Sequence, residues 1–156
     1  TPYVLGALAH ARAQGALTVG LACNAGTPLT QAADISIAPV VGPEVISGST
    51  RLKAGTAQKM VLNIPSTGTM ICLGKTYGNL MVDVQPTNEK LRRRATAIVQ
   101  QITGLDEAAA AAALTNADGE VKTAVVAIRT GLAPADARQR LAAHGGNLRA
   151  TLEDLP

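Results

Sequence analysis

The chain has 156 residues and a mass of 15.9 kDa, enough for one domain of ordinary size or one and a half small ones. With 47% hydrophobic and 16% charged residues, its composition is that of a folded protein and excludes a disordered one. Aromatic residues make up 1%, so stacking on nucleic-acid bases is nearly excluded, and the net charge of +3 is too evenly spread to indicate a polyanion-binding surface. No run approaches the ~20 apolar residues of a membrane span. We therefore expect neither nucleic acid nor membrane as a partner.

The two cysteines, Cys23 and Cys72, lie in apolar runs without a CxxC motif or a neighbouring histidine. This pattern argues against a disulfide scaffold or a zinc site and predicts two core thiols in a reducing compartment. The chain also shows no secretory signal. We therefore expect a cytoplasmic protein.

Residues 1–85 alternate between helix and strand patterns. Helices are predicted over residues 2–14 and 27–33. Two apolar segments, 17–23 and 35–38, are typical of parallel strands that are covered on both faces. A strand, a helix and a strand with short connections form a βαβ unit, so the pattern favours an α/β fold.

A loop dense in Gly, Ser and Thr occupies residues 41–56 and runs into a helical pattern that continues through Leu62. Pro65 is expected to kink or end that helix, because proline lacks a backbone donor and clashes with the preceding turn. A second helical piece is predicted over residues 66–73, ending at Gly74.

Residues 86–156 lose the strand patterns and show helical spacing throughout. Apolar residues recur on one helical face over residues 91–102, and Gly104 is the predicted end of that helix. Asp106 is the predicted cap of an alanine-rich helix that follows. Further helical segments are predicted at residues 119–130, 134–144 and 148–152. Together these helices predict a small bundle.

Two helix starts have the physical character of a phosphate site. One is Thr1-Pro2, where a hydroxyl cap lies beside free backbone N–H groups. The other is the Ser-Gly-Ser-Thr sequence at residues 47–50, with Arg51 and Lys53 expected one turn into the helix. Simple helix capping also explains such clusters, so both interpretations stay open at this point.

Glu44 lies in the same loop, three residues before the Ser-Gly-Ser-Thr sequence. Its carboxylate could bond sugar hydroxyls or move a proton, or it could be a solvent-exposed loop glutamate. No second carboxylate stands at a spacing that would pair with it. The sequence also has no nucleotide-binding glycine pattern and no cluster of metal ligands.

Several segments together resemble a known family. Residues 42–59 read GPEVISGSTRLKAGTAQK and resemble the signature of the N-acetylmuramic acid 6-phosphate etherases and the related glucokinase regulatory proteins. Residues 75–84, KTYGNLMVDV, and residues 87–91, TNEKL, are similar to the next block of the etherases. The tail, with ADGEVKTA at 117–124 and TGL at 130–132, resembles their small C-terminal helical domain. The resemblance covers essentially the whole chain.

The resemblance implies an α/β fold that is the C-terminal half of a sugar isomerase (SIS) parallel-sheet sandwich, followed by a small all-helical domain like a ubiquitin-associated (UBA) domain. We accordingly expect a partial phosphosugar-binding SIS domain over residues 1–85 and a connecting helix over residues 86–104. The small helical domain is then expected over residues 105–156.

The resemblance also implies a carbon–oxygen lyase of peptidoglycan recycling. Such an enzyme removes D-lactate from N-acetylmuramic acid 6-phosphate and leaves N-acetylglucosamine 6-phosphate. The implied route opens the ring, abstracts the proton beside the aldehyde, eliminates the lactyl ether and adds water. It uses carboxylates as acid and base and needs no metal or cofactor. Because the aldehyde makes this C–H bond only moderately acidic, the base has to be held in position.

The family's catalytic glutamates and first phosphate loop lie in its N-terminal half. We therefore expect this chain to be a C-terminal portion that does not turn over substrate alone, and no catalytic residue is assigned within it. What the resemblance implies here is binding of the phosphosugar, by Thr1, Glu44, Ser47, Ser49 and Lys53. A half sheet would expose a strand edge and an apolar face, which predicts a homodimer or pairing with an N-terminal segment.

Two other functions remain open from the sequence. One is a non-catalytic phosphosugar-binding regulatory protein like the glucokinase regulatory proteins, although those are longer and have two such sheets. The other is a phosphosugar-binding module attached to a DNA-binding domain, which would require an upstream helix-turn-helix.

Overall fold

A computed structural model describes residues 1–154 of the chain. The chain divides into two compact units, Thr1–Ser66 (unit 1) and Thr67–Pro156 (unit 2). The described residues form eight helices and two small sheets, so the expected α/β class is confirmed. None of the helices in this range is long and apolar enough to cross a membrane.

Unit 1 is built on a βαβ arrangement. Its elements in chain order are α1 (Pro2–Ala13), β1 (Val19–Leu21), α2 (Pro28–Ala32), β2 (Ile35–Ile37) and the first part of α3 (Lys53–Cys72). The strands pair in parallel, with Val19 opposite Ile35. They are shorter than the apolar segments 17–23 and 35–38 predicted. The expected cover on both faces is wrong, because Val19 is 50% and Ile35 45% exposed.

The close approach of α2 to β1 requires a glycine in the strand. A Cβ atom on Gly20 would lie 2.8 Å from the carbonyl oxygen of Leu29, which is closer than real Cβ atoms come. Asp34 fixes the start of both strands, because its carboxylate accepts hydrogen bonds from the hydroxyl (2.6 Å) and the backbone N–H (3.0 Å) of Thr18. These bonds, together with the charge of Arg12, hold the pKa of Asp34 below its ordinary value.

The helix α3 runs without interruption from Lys53 to Cys72, so the expected end at Pro65 and the separate helical piece over residues 66–73 are wrong. Proline removes the N–H that would bond the carbonyl of Val61. Since the residues around Pro65 are exposed, water can hydrate the carbonyl that has lost its partner. The prediction of two core thiols is also wrong, because Cys72 is exposed and Cys23 only half-buried.

Unit 2 combines a short hairpin with a helical bundle. Its further elements are β3 (Thr76–Tyr77), β4 (Leu80–Met81), α4 (Glu89–Thr103), α5 (Glu107–Asn116), α6 (Val121–Thr130), α7 (Pro134–Ala143) and α8 (Leu148–Glu153). The two strands pair antiparallel, with Tyr77 opposite Leu80. Val82, which follows the hairpin, is fully buried in the same core as Val99, Val125 and Leu148. The hairpin and the helices therefore share one hydrophobic core.

Local capping explains where the helices of unit 2 begin and end. Asp106 accepts a hydrogen bond from the N–H of Ala109 at 2.8 Å, as its predicted capping role requires. Gly104 and Gly131 adopt the left-handed conformation directly after α4 and α6. The helices predicted from residue 91 onward are thus confirmed, with boundaries shifted by a few residues.

Candidate functional site: a cleft at the end of the first strand

A cleft of about 340 Å³ opens in unit 1 where β1 ends. Its wall comes from three segments: the residues directly after β1, the loop between β2 and α3, and the first turn of α3. The residues that line it are Cys23, Asn24, Val41, Gly42, Pro43, Glu44, Ser47, Gly48, Thr50 and Ala54. The carboxyl end of parallel strands is where α/β folds place their ligands, so this position is typical of a binding site.

Glu44 caps α3 from the loop. One carboxylate oxygen accepts the backbone N–H of Lys53 at 2.8 Å, and the other accepts that of Ala54 at 3.0 Å. The two backbone hydrogen bonds, Ala54 first, lower the pKa of Glu44, and the charge of Lys53 adds to the effect. Glu44 is therefore an ionised helix cap that occupies two of the backbone N–H donors at the start of α3.

The serine-rich segment lies before α3 and not within its first turn. The helix begins at Lys53, so the prediction that Ser47 and its neighbours open the helix places its start too early. Ser47 is exposed and lines the cleft, whereas Ser49 is half-buried and does not line it. The ammonium group of Lys53 donates to the carbonyl oxygen of Pro43 at 3.0 Å. Glu44 and Ser47 thus line the same cleft, whereas the side chain of Lys53 contacts the loop at the carbonyl oxygen of Pro43.

Thr1 lies at a second, smaller cleft of unit 1. This cleft of about 220 Å³ is lined by Thr1, Val4, Leu5, Ala22, Thr27, Pro28 and Leu29. Thr1 stands at the N-cap position of α1, but its hydroxyl makes no capping hydrogen bond, in contrast to what the sequence predicts. Ala22 lines this cleft and its neighbour Cys23 lines the first, so the two clefts flank the end of β1.

Sequence reasoning missed Cys23 and Asn24 as residues of the first cleft. The thiol of Cys23 lies 3.5 Å from the carbonyl oxygen of Ala54, in the first turn of α3. A signal was present, because both residues directly follow a predicted parallel strand. Side chains at that position point toward the ligand edge of the sheet, whatever their chemical type.

Unit 2 also has a cleft, of about 250 Å³, and its charged groups are paired with one another. Lys122 is nearly buried and donates to the carbonyl oxygen of Gly146 at 2.9 Å, and its ammonium lies 3.4 Å from Asp83. Burial alone would raise the pKa of Asp83, but the hydrogen bond from Lys75 and the charges of both lysines outweigh it and lower the pKa. These contacts within the unit favour a structural role for the group.

Comparison with known proteins bears on both units. The chain is 57% identical over 146 residues to an N-acetylmuramic acid 6-phosphate etherase of Aeromonas hydrophila. The aligned segment covers 94% of this chain and 49% of that protein. An etherase of Rubrobacter xylanophilus is 58% identical over 152 residues, which are 97% of this chain and 50% of that protein. An etherase of Cronobacter sakazakii is 54% identical over 153 residues, which are 98% of this chain and 52% of that protein. The resemblance to the etherases is confirmed. The chain spans about half the length of these curated relatives.

A second comparison concerns residues 78–120. They match the family described as the C-terminal lid domain of glucokinase regulatory protein. The matched segment begins in the turn between β3 and β4 and ends at Glu120, the residue before α6. Both families named from the sequence are therefore found by comparison.

Proposed function

We propose that this chain is the C-terminal portion of a carbon–oxygen lyase of peptidoglycan recycling. The lyase cleaves the D-lactyl ether of N-acetylmuramic acid 6-phosphate, giving N-acetylglucosamine 6-phosphate and D-lactate. The observation that carries the proposal is 54–58% identity to etherases over 94–98% of this chain. Its substrate is a phosphorylated amino sugar, and its compartment is the cytoplasm. Unit 1 contributes part of the phosphosugar site, through Glu44, Ser47, Ser49 and Lys53 in and beside one cleft and Thr1 at the other.

The proposed architecture is the C-terminal half of an SIS sandwich with a small UBA-like helical domain. The parallel pairing of β1 and β2 across α2 supports the first part, and the helices from α5 to α8 support the second. The boundaries at residues 85 and 104 stay predictions. The exposed large apolar residues of unit 1, among them Val45 (89%) and Ile46 (66%), support a homodimer or pairing with an N-terminal segment.

The acid and base of the reaction are proposed to lie outside this chain. Glu44 is the carboxylate of the first cleft, and both its oxygens already accept backbone N–H groups. A proton-abstracting base needs a pKa near the working pH, whereas the pKa of Glu44 is lowered. Its geometry therefore supports a positioning role.

The test is release of D-lactate from N-acetylmuramic acid 6-phosphate. We expect no release by the 156-residue chain alone, and release when it is combined with the N-terminal half of the Aeromonas hydrophila etherase. That N-terminal half alone is the control. Turnover by the chain alone would show that the acid and base lie within it.

The alternative is a non-catalytic phosphosugar-binding regulatory protein, which the match of residues 78–120 to the lid domain of glucokinase regulatory protein favours. Both functions require binding of a sugar phosphate. At 100 times its Kd, such a ligand raises the free energy of unfolding by about 2.7 kcal/mol. Binding with no D-lactate release from the combined halves would support the regulatory function.

A further inference from the structure

The strand β4 and its extended continuation in unit 2 have one edge that faces β3 and one that does not. The N–H of Val82 donates to the carbonyl oxygen of Lys75 at 3.1 Å, so the backbone of Val82 faces β3. Backbone groups alternate in direction along a strand, so the N–H and C=O groups of Met81 and Asp83 point away from β3. Gln85 continues this alternation. We call the backbone groups of Met81, Asp83 and Gln85 the outer edge of β4.

The outer edge of β4 makes no backbone pairing within the part of the chain that the structure describes. None of those residues forms a hydrogen bond with the backbone N–H or C=O of Met81 or Asp83, or with the N–H of Gln85. Met81 and Asp83 are half-buried, so their polar backbone groups are partly withdrawn from water. An unpaired edge of this kind is a template for a further strand.

The charge at this edge does not repel an incoming backbone. Proteins often protect an open edge with a charged side chain, and Asp83 is the charged residue here. Its carboxylate is paired with Lys75 and lies 3.4 Å from the ammonium group of Lys122, so its charge is already balanced. Pro86 has no N–H to donate and ends the edge, which limits it to a short added strand.

The outer edge lies at the 250 Å³ cleft of unit 2. Residues 82–86 line this cleft together with residues 118–123, which form the α5–α6 turn and the first turn of α6. Val84, Val121 and Leu141 add apolar side chains to the lining. A single extended segment can enter between a strand edge and a helix start, whereas a second copy of this chain would bring its own hairpin and helices. The cleft therefore favours an extended peptide segment over a second copy.

We propose that an extended segment of the enzyme's N-terminal half adds to the outer edge of β4 as a third strand and occupies this cleft. The inference rests on the proposed function, in which this chain acts together with an N-terminal half, and the chain spans about half the length of its curated relatives. Main-chain hydrogen bonds to Met81 and Asp83 give affinity in this mode of binding. An apolar side chain of the segment, packed against Val84 and Val121, gives specificity.

Amide hydrogen exchange tests the added strand directly. NMR follows the isotope-labelled chain with and without the unlabelled N-terminal half of the Aeromonas hydrophila etherase. We expect the N–H groups of Met81 and Asp83 to exchange at least about tenfold more slowly in the combination. The N–H of Ala108, in the first turn of α5, also has no hydrogen-bond partner among the described residues and is the control. Its rate should not change.

A pair of variants at Gln85 tests the same edge by affinity. Gln85→Pro removes the N–H of the outer edge, whereas Gln85→Ala removes the side chain and keeps the N–H. Calorimetry is expected to show that Gln85→Pro weakens binding of the N-terminal half about fivefold and that Gln85→Ala does not. Because Gln85 is exposed, both variants should keep the unfolding midpoint of the chain alone. Equal affinities of the two variants would contradict the added strand.

The outcomes separate this inference from the proposed function. If the combined halves release D-lactate while Met81 and Asp83 exchange as in the chain alone, the inference is overturned and the proposed function stands. Protection of both amides that appears in the chain alone and rises with its concentration would assign the edge to a second copy and also overturn the inference. Protection by the N-terminal half without D-lactate release would support the inference and overturn the proposed function. If neither protection nor release is found, both are wrong.

Discussion

The two units differ most in how they bury apolar side chains. Unit 2 has a continuous core in which Val99, Val125 and Leu148 are fully buried. In unit 1, all of whose residues the structure describes, Ala54 is the one buried apolar side chain of the core, while Ile64 and Leu17 are each 72% exposed. Since buried apolar area is the main source of stability, unit 2 contains its own stabilising core and unit 1 does not.

The difference follows the chemistry of the two sequences. Unit 1 carries a loop rich in Gly, Ser and Thr that lines a cleft and is tied to the first turn of α3 by Glu44, and such a loop adds little to a core. The alanine- and valine-rich helices of unit 2 pack closely because small residues let helix backbones approach. The unit with the candidate site is therefore the one whose stability depends more on partners or ligands.

The largest expected effect comes from truncating the core of unit 2. Leu148→Ala is expected to lower the free energy of unfolding by about 2–5 kcal/mol, because it removes a fully buried side chain and leaves a cavity. Leu62→Ala is the matched control in unit 1, and since Leu62 is 60% exposed it should cost less than about 0.5 kcal/mol. Urea denaturation checks both values. Equal losses would contradict the contrast between the units.

A smaller effect is expected from Asp83→Asn, which removes the carboxylate that pairs with Lys75 and the nearly buried Lys122. We expect a loss of about 1–2 kcal/mol at neutral pH, because the Lys122 ammonium keeps the Gly146 carbonyl as its remaining partner. Asp154→Asn is the control, and its exposed contact with Arg140 should contribute little.

The pH dependence of this loss follows from the lowered pKa of Asp83. The ordinary pKa is 3.8, and the value in the folded protein lies below it. The stabilisation is therefore fully present above about pH 5 and is lost as the pH falls through the folded pKa. Urea denaturation from neutral to acid pH should show the variant and the parent converging at the acid end. A difference that persists unchanged there would rule out the charge of Asp83 as its cause.

The sequence predicts best the features that depend on residues close together in the chain. Asp106 and Gly104 act on neighbouring residues, so their roles in capping can be read from short segments. The β3–β4 hairpin was missed although its signal is local, since Gly78-Asn79 between Tyr77 and Leu80 is a favoured two-residue turn.

Features that depend on distant residues were predicted less well. Glu44 binds N–H groups nine and ten residues later, and nothing in the spacing alone indicates that the loop folds back onto α3. Burial of Cys72 and of the faces of β1 was overestimated for a related reason, because an apolar pattern does not say whether the residues that would cover it are present. The residue types of the candidate site could be predicted, but their contacts could not.

The smallest effect distinguishes two helix starts, one in each unit. Asp106 makes a capping hydrogen bond at the start of α5, so Asp106→Ala is expected to cost about 1 kcal/mol. Thr1 holds the same position at α1 without such a bond, so Thr1→Ala should leave the unfolding midpoint in urea unchanged. If Thr1 contributes to phosphate binding, Thr1→Ala should weaken inorganic phosphate binding in calorimetry while Asp106→Ala does not. A loss of stability in Thr1→Ala as large as that in Asp106→Ala would instead assign Thr1 a capping role. The N-termini of α1 and α5 would then no longer differ in whether the cap residue stabilises the fold.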